Sequence, residues 1–195
     1  MDEIQRIFVA IELSPDVRRW LEKARSVLEP GIPSGAVRWV NPDGIHLTLK
    51  FLGEIPASRI DNVRSAMDQS AAGKTPFSLT VEGLGCFPNA VRPRVVWAGI
   101  REEPLLADLQ RRLENDLSAV GFKKEQRAFS PHLTLGRVKD GVSESSLRRI
   151  GSAVQSGTME TPAVMPVDGM CLFRSVLRPA GAEYSALYRA GFSGR

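Results

Sequence analysis

The chain contains two histidines, and both begin the same tetrapeptide, His46-Leu47-Thr48-Leu49 and His132-Leu133-Thr134-Leu135. In a strand, alternate side chains share a face, so each histidine would lie beside a threonine while the leucines face the core. An imidazole can take up or release a proton near neutral pH, and a hydroxyl can donate a hydrogen bond. Two such pairs around one cleft would suit a phosphoryl group, with one histidine as base, the other as acid, and the hydroxyls on the charged oxygens.

The sequence separation of the two histidines, 86 residues, recurs elsewhere in the chain. Val81-Glu82-Gly83-Leu84 is followed at the same separation by Val167-Asp168-Gly169-Met170, and Phe87 is followed by Phe173. A shared register without gaps indicates an internal duplication with one histidine motif in each half. We therefore expect residues 1–195 to form a single bilobal domain with a pseudo-two-fold axis and a central cleft between the halves.

Amphipathic patterns predict four helices, and the apolar runs between them predict eight strands. The helices are expected to begin after Ser14, Ser58, Pro104 and Ser143, with proline following the Ser14 cap. The predicted strands are Ile7–Leu13, Val37–Val40, His46–Leu52, Phe77–Leu84, Val95–Ile100, His132–Val138, Val164–Phe173 and Tyr184–Tyr188. This order predicts an α+β fold with two mainly antiparallel sheets and helices on their outer faces.

The composition is that of a globular protein, with 43% hydrophobic and 25% charged residues, which argues against disordered and fibrous classes. The net charge of +4 favours an anionic partner such as nucleic acid or a phosphorylated small molecule. The sequence has neither the long apolar run of a membrane span nor the features of a secretory signal, so a cytoplasmic monomer is expected. Cys86 and Cys171 are isolated in sequence and are expected to be buried thiols.

Three competing interpretations are weaker. A histidine on a strand is often only structural, but two copies, each with threonine at the same offset, favour catalysis. A metal site would need more ligands than one histidine from each half, because neither motif has a cysteine pair or an acidic neighbour on its face. Gly73-Lys74-Thr75 resembles the end of a phosphate-binding loop, yet Asp68 occupies the position that requires glycine.

Three longer segments carry a resemblance to a known family: Arg38–Gly53, Phe87–Trp97 and Phe129–Arg137. With the paired His-x-Thr-x motifs they resemble the two-histidine (2H) phosphoesterases, and among these the prokaryotic RNA 2′,3′-cyclic phosphodiesterases, formerly called 2′-5′ RNA ligases. The resemblance extends from Ile7 to Tyr188. It implies a bilobal fold, no metal or other cofactor, and hydrolysis of RNA 2′,3′-cyclic phosphate ends to 2′-phosphomonoesters.

The resemblance also assigns residues. It implies that His46 and His132 are catalytic and that Thr48 and Thr134 bind the substrate phosphate. Arg137 follows the second motif where the family often has an arginine, which could also hold phosphate. Strict alternation places Arg137 on the opposite face from His132, so it reaches the cleft only if the strand bulges or ends before it.

Three aromatic residues, Phe8, Trp39 and Phe129, are candidates to stack on the nucleobase, although each could instead belong to the core. We expect His132 to be the base and His46 the acid. Two alternatives to hydrolysis stay open. The same site could join RNA ends as a 2′-5′ ligase or act on a cyclic nucleotide or an ADP-ribose cyclic phosphate, or the protein could bind RNA or nucleotides without turnover.

Overall fold

A computed structural model describes residues 2–178 and 181–194. The described residues form four α-helices and nine strands. The helices are α1 (Pro15–Leu28), α2 (Ile60–Ala71), α3 (Pro104–Ala119) and α4 (Glu144–Ser156). The strands are β1 (Ile4–Ile11), β2 (Val37–Trp39), β3 (Leu47–Pro56), β4 (Phe77–Phe87), β5 (Val95–Ile100), β6 (His132–Val138), β7 (Ala163–Val167), β8 (Gly169–Arg178) and β9 (Gly181–Gly191).

The four predicted helices are confirmed, and local capping by serine explains where α1 and α4 start, whereas α2 begins at Ile60 without a side-chain cap from the described residues. The Ser14 side chain accepts a hydrogen bond from the Val17 N–H, and Pro15 is the first residue of α1. Ser143 caps α4 in the same way, accepting from the Ser146 N–H. Such caps satisfy backbone donors that have no partner inside the helix, so the start of a helix can be recognised from a few adjacent residues.

The strands form two antiparallel sheets, as predicted. The four-stranded sheet has the order β3-β1-β8-β9, and the five-stranded sheet has the order β2-β6-β5-β4-β7. Helices α2 and α3 pack on the four-stranded sheet, and α1 and α4 pack on the five-stranded sheet. None of the helices in the described ranges is long and apolar enough to cross a membrane.

One predicted strand, Val164–Phe173, is wrong as a single element. The chain leaves the five-stranded sheet at the end of β7 and enters the four-stranded sheet at the start of β8, with Asp168 between them. The Asp168 carbonyl accepts a hydrogen bond from the Phe192 N–H just beyond β9. Both strands are largely apolar, so hydropathy alone does not reveal where the chain crosses between sheets.

The two lobes are the two sheets rather than the two halves of the sequence. Strands β1 and β3 of the first half lie in the four-stranded sheet, while β4 from the same half lies beside β5 in the five-stranded sheet. The second half contributes β8 and β9 to the four-stranded sheet in return. Each sheet therefore contains strands from both repeats, which corrects the expectation that each half of the sequence forms its own lobe.

The four-stranded sheet has an apolar core on one face and a separate, smaller cluster on the other. The smaller cluster consists of Phe8, Ala10, Cys171 and Phe173. Ile7, Val9 and Ile11 alternate with Phe8 and Ala10 along β1 and belong to the main core. Cys171 is buried and Cys86 is half-buried, and both are free thiols. The face with the smaller cluster is the one on which the first histidine motif lies.

Candidate active site

His46 is held in an aromatic setting at the start of β3. Its imidazole stacks on Phe8 with ring centroids 4.4 Å apart and planes 25° apart, and the Tyr184 ring meets it edge-on at 4.9 Å. Phe173 stacks on Phe8 at 5.3 Å. Thr48 lies opposite Ala10 of β1, so its hydroxyl leaves the sheet on the same face as these rings. The structure therefore brings His46 and Thr48 to one surface, as the alternation predicted.

The aromatic setting changes the proton affinity of His46. The pKa of this imidazole is lowered to about 4, chiefly by burial; a hydrogen bond with the Gly44 backbone opposes the shift, and the positive charge of Arg18 adds to it. A histidine with this pKa is neutral near pH 7. Without a bound anion, His46 is therefore unprotonated.

The His132 ring is positioned by a backbone hydrogen bond and one edge-on aromatic contact, without the stacking that the described residues show at His46. Its Nδ1 lies 2.8 Å from the Ser130 carbonyl oxygen, and the Phe87 ring meets the imidazole edge-on at 4.9 Å. Because a carbonyl oxygen can only accept a hydrogen bond, Nδ1 carries the proton, and Nε2 of the neutral ring has a free lone pair. The geometry of His132 is thus suited to accepting a proton at Nε2.

The two histidine sites repeat the same supports. Gly44 and Ser130 each lie two residues before their histidine, and they are 86 residues apart, as are the flanking Phe173 and Phe87. In each copy a phenylalanine two strands away in the same sheet lies beside the ring. The Ser130 carbonyl oxygen lies 2.8 Å from Nδ1 of His132, and the Gly44 backbone acts on the pKa of His46. Each imidazole is thus positioned by residues of its own sheet, and the supports occupy equivalent positions in the two repeats.

A β-bulge decides where Arg137 lies. Thr134 is opposite Trp97 and Gly136 is opposite Val96, so Leu135 is an extra residue on β6. One extra residue reverses the alternation of side chains beyond it. Arg137 consequently shares the face of His132 and Thr134, and its side chain is exposed. The condition that the sequence set for Arg137 to reach the cleft is met.

Phe51 was missed by the sequence interpretation. An equivalent bulge at Leu49 returns it to the face of His46 and Thr48. Its ring is 63% exposed and lies 5.7 Å from the ring of Phe8. The repeat contained a signal for it, because Phe51 precedes Arg137 by the same 86 residues that separate the histidines. Phe51 thus combines an exposed ring with a position on the face of His46.

The three predicted stacking residues have other surroundings. Phe8 is only 1% exposed and is covered by His46 and Phe173, so it has no face for a nucleobase; it orients His46 instead. Trp39 pairs with Gly136, which places it on the face opposite Arg137, where Arg25 lies over its ring at 5.5 Å. Phe129 is half-buried against the main core, and stacking there stays a prediction.

Comparison with known proteins finds the same family model in each half of the chain. The model of the family described as LigT-like phosphoesterase matches residues 11–97 and again 99–184, one match for each half of the chain. The chain is 32% identical to an RNA 2′,3′-cyclic phosphodiesterase of Methanothermobacter thermautotrophicus, over 92% of this chain and 95% of that protein. It is also 32% identical to the protein of the same name from Thermotoga maritima, over 97% and 96% of the two chains.

Solved structures share the fold. A crystal structure from Thermus thermophilus superposes with a TM-score of 0.77 at 29% identity, covering 97% of this chain and 98% of the other. Escherichia coli LigT in complex with 3′-AMP superposes with a TM-score of 0.75 at 28% identity, covering 98% and 99%. The two-sheet architecture is therefore common to these proteins over nearly their whole length.

Proposed function

Because the chain belongs to the LigT-like phosphoesterase family, we propose that it hydrolyses the 2′,3′-cyclic phosphate ends of RNA to 2′-phosphomonoesters without a metal ion. The observation that carries this proposal is the pair of equivalent His-x-Thr sites, one on each sheet, in which the threonine shares the face of the histidine and an aromatic ring lies beside each imidazole. Curated relatives with about this length bear the name RNA 2′,3′-cyclic phosphodiesterase.

In the proposed reaction a water molecule attacks the phosphorus while the bond to the 3′-oxygen breaks. Nε2 of His132 takes the proton from water, because its Nδ1 is already committed to the Ser130 carbonyl. His46 gives its proton to the departing 3′-oxygen. The hydroxyls of Thr48 and Thr134 donate hydrogen bonds to the non-bridging oxygens, whose negative charge grows in the transition state.

The acid role of His46 requires that substrate binding raise the pKa of the imidazole, so that His46 takes up a proton from solvent. With a pKa of about 4 in the free enzyme, His46 is mostly neutral at pH 7. A cyclic phosphate carries one negative charge, and an anion beside an imidazole favours the protonated form. Binding of the substrate is thus expected to raise the pKa of His46 and to create the acid where it is used.

Outside the phosphate site, Phe51 is proposed to stack on the terminal base, and Arg137 to contact phosphate on the opposite lobe. Phe51 offers an exposed ring beside the Phe8–His46 stack, and aromatic rings bind bases of any sequence through their π-faces. Arg137 shares the face of His132 and Thr134. A guanidinium there can form paired hydrogen bonds with phosphate oxygens.

Product analysis tests the proposal. An oligonucleotide with a 2′,3′-cyclic phosphate end is incubated with the enzyme in EDTA, and the product is identified by mass spectrometry and chromatography. A 2′-phosphomonoester is expected, and His46→Ala and His132→Ala should each lower kcat by about 10²–10⁴. A product joined to a 5′-hydroxyl RNA would support ligation instead, and loss of activity in EDTA that one divalent metal restores would overturn the metal-free reaction.

A substrate with sulfur in place of the bridging 3′-oxygen separates the two histidine roles. A thiolate leaves without protonation, so this substrate does not need the acid. We expect His46→Ala to recover most of its lost rate on the sulfur substrate, while His132→Ala stays slow. Recovery by His132→Ala instead would reverse the assignment of acid and base.

A further inference from the structure

Arg38 lies directly opposite Arg137 in the antiparallel pair of β2 and β6. Side chains of directly opposite residues leave a sheet on the same face, with Cβ atoms about 4.5–5.5 Å apart. Since the bulge at Leu135 places Arg137 on the face of His132 and Thr134, Arg38 is on that face as well. Its neighbours Val37 and Trp39 point to the opposite side, where Val37 is buried.

The two guanidinium groups form no ion pair with a carboxylate of the described residues. Within residues 2–178 and 181–194, no carboxylate oxygen lies within 4.0 Å of either Arg38 or Arg137, whereas the nearby Arg94 pairs with Asp140. Like charges directly opposite each other on neighbouring strands destabilise the pairing. Both side chains are exposed, so an anion from solution can reach them and relieve this repulsion.

The pairing of β2 with β6 places this arginine pair on the face of the second histidine motif. On β6, Arg137 is the first residue beyond the bulge to share the face of Thr134. Arg38 is one strand farther from Thr134 than Arg137. A phosphate bound there would thus be a neighbour of the reacting one, not the same group.

We propose that Arg38, together with Arg137, binds the phosphodiester on the 5′ side of the terminal nucleoside of the substrate. This inference rests on the proposed function and specifies its substrate class: RNA ends of at least two nucleotides in preference to cyclic mononucleotides. A nucleoside 2′,3′-cyclic phosphate with a free 5′-hydroxyl lacks this phosphodiester. Guanidinium groups suit the contact because they bind phosphate through two parallel hydrogen bonds.

The test compares a dinucleotide that ends in a 2′,3′-cyclic phosphate with the corresponding mononucleoside cyclic phosphate. Arg38→Met removes the charge and keeps most of the alkyl chain. We expect it to raise the ratio of the dinucleotide KM to the mononucleotide KM about tenfold. Arg38→Lys should raise this ratio less, because the ammonium keeps the charge but not the paired hydrogen bonds.

Arg149→Met is the matched control, since Arg149 is exposed on the outer helix α4 and its loss changes the net charge equally. This control should leave the KM ratio unchanged. An unchanged ratio in Arg38→Met, or an equal change in Arg149→Met, would overturn the inference while the proposed function stands. Failure of the wild-type enzyme to hydrolyse either substrate would instead overturn the proposed function.

A measurement on the wild-type enzyme covers the case in which Arg38→Met does not fold. Each phosphate contact on a single strand adds about 0.7 to the slope of log affinity against log salt concentration. The KM of the dinucleotide should therefore rise with salt more steeply than that of the mononucleotide, by about this amount. Equal slopes for the two substrates would contradict a phosphodiester contact.

Discussion

Leu49 and Leu135, 86 residues apart, are the extra residues of two equivalent β-bulges, each directly after the threonine of a histidine motif. Because each bulge reverses the alternation of side chains, the residue two positions later returns to the face of the histidine. That residue is Phe51 in one copy and Arg137 in the other. The duplicated scaffold thus presents an aromatic ring on one lobe and a cation on the other, which suits a ligand with a base at one end and phosphate at the other.

The low pKa of His46 predicts the pH dependence of the free enzyme. A general acid must carry its proton, and kcat/KM reports ionisations of the free enzyme, so the factor that His46 contributes to kcat/KM should fall as the pH rises above about 4. In kcat, which reports the substrate complex, this fall should lie at higher pH because the bound phosphate stabilises the imidazolium. Steady-state rates from pH 3.5 to 9 measure both profiles.

The control for this experiment is His46→Gln, and the ratio of the wild-type kcat/KM to that of the variant should fall as the pH rises above about 4. Nuclear magnetic resonance titration of the imidazole protons in the presence and absence of inorganic phosphate gives an independent reading. An ordinary pKa for His46 in the free protein, or no rise on adding phosphate, would contradict substrate-induced protonation.

The same shift predicts how stability depends on pH. His46 has a pKa of about 4 when folded, against 6.5 for an ordinary histidine, so between these values the unfolded chain binds more protons. Stability should therefore fall as the pH is lowered from about 6.5 to about 4, with His46 contributing about 1–2 kcal/mol of loss by pH 5. Urea unfolding at pH 7 and pH 5 measures the change. The loss should be smaller in His46→Gln, and an equal loss would show that other groups cause it.

Phe51→Ala should weaken substrate binding without weakening the fold. Base–aromatic stacking contributes about 1–3 kcal/mol per base, so KM should rise about tenfold or more. The free energy of unfolding should change little, because the ring is 63% exposed. Phe51→Tyr keeps an aromatic face and should retain the wild-type KM. A wild-type KM in Phe51→Ala would exclude this ring as the base platform.

Replacing Lys50 should strongly lower the free energy of unfolding, because its side chain forms a buried ion pair. Its side chain is 7% exposed, and Nζ donates to Glu114 Oε2 and to the Lys123 carbonyl, both at 2.8 Å. Lys50→Met would leave the Glu114 carboxylate, 12% exposed, without its cation. Removing one partner of a buried ion pair costs about 3–5 kcal/mol. Urea unfolding measures this loss; the exposed Lys23→Met serves as control, and a loss below about 1 kcal/mol would show that water replaces the contact.

The loop that Lys50 holds leads to His132. The Glu125 N–H donates to the same Glu114 oxygen that receives Lys50, and the chain continues from there to Ser130, whose carbonyl binds His132. Lys50 thus connects the strand of the first histidine to the segment that positions the second. Its contribution depends on contacts between residues 64 and 73 positions apart, which no pattern within a short window reveals.

The sequence by itself determined what depends on near neighbours. Ser14 and Pro15 specify the start of α1 because a cap acts over one turn. In each His-Leu-Thr-Leu segment the histidine and threonine lie on one face and the leucines on the core face, because side chains alternate along a strand. The separation of 86 residues revealed the duplication, which gives one histidine motif to each half of the chain. These inferences need no knowledge of which strands are adjacent.

Only the tertiary structure decided what depends on strand pairing. The bulges at Leu49 and Leu135 exist only relative to partner strands, so the exposure of Phe51 and the face of Arg137 could not be predicted from alternation. Phe8 and Trp39, the candidates for base stacking, have other surroundings: Phe8 stacks on His46, and strand pairing places Trp39 on the face opposite Arg137. The lowered pKa of His46 likewise arises from burial by residues distant in sequence. Register and burial are long-range properties, and they set the shape and charge of the site around a motif that the sequence already contained.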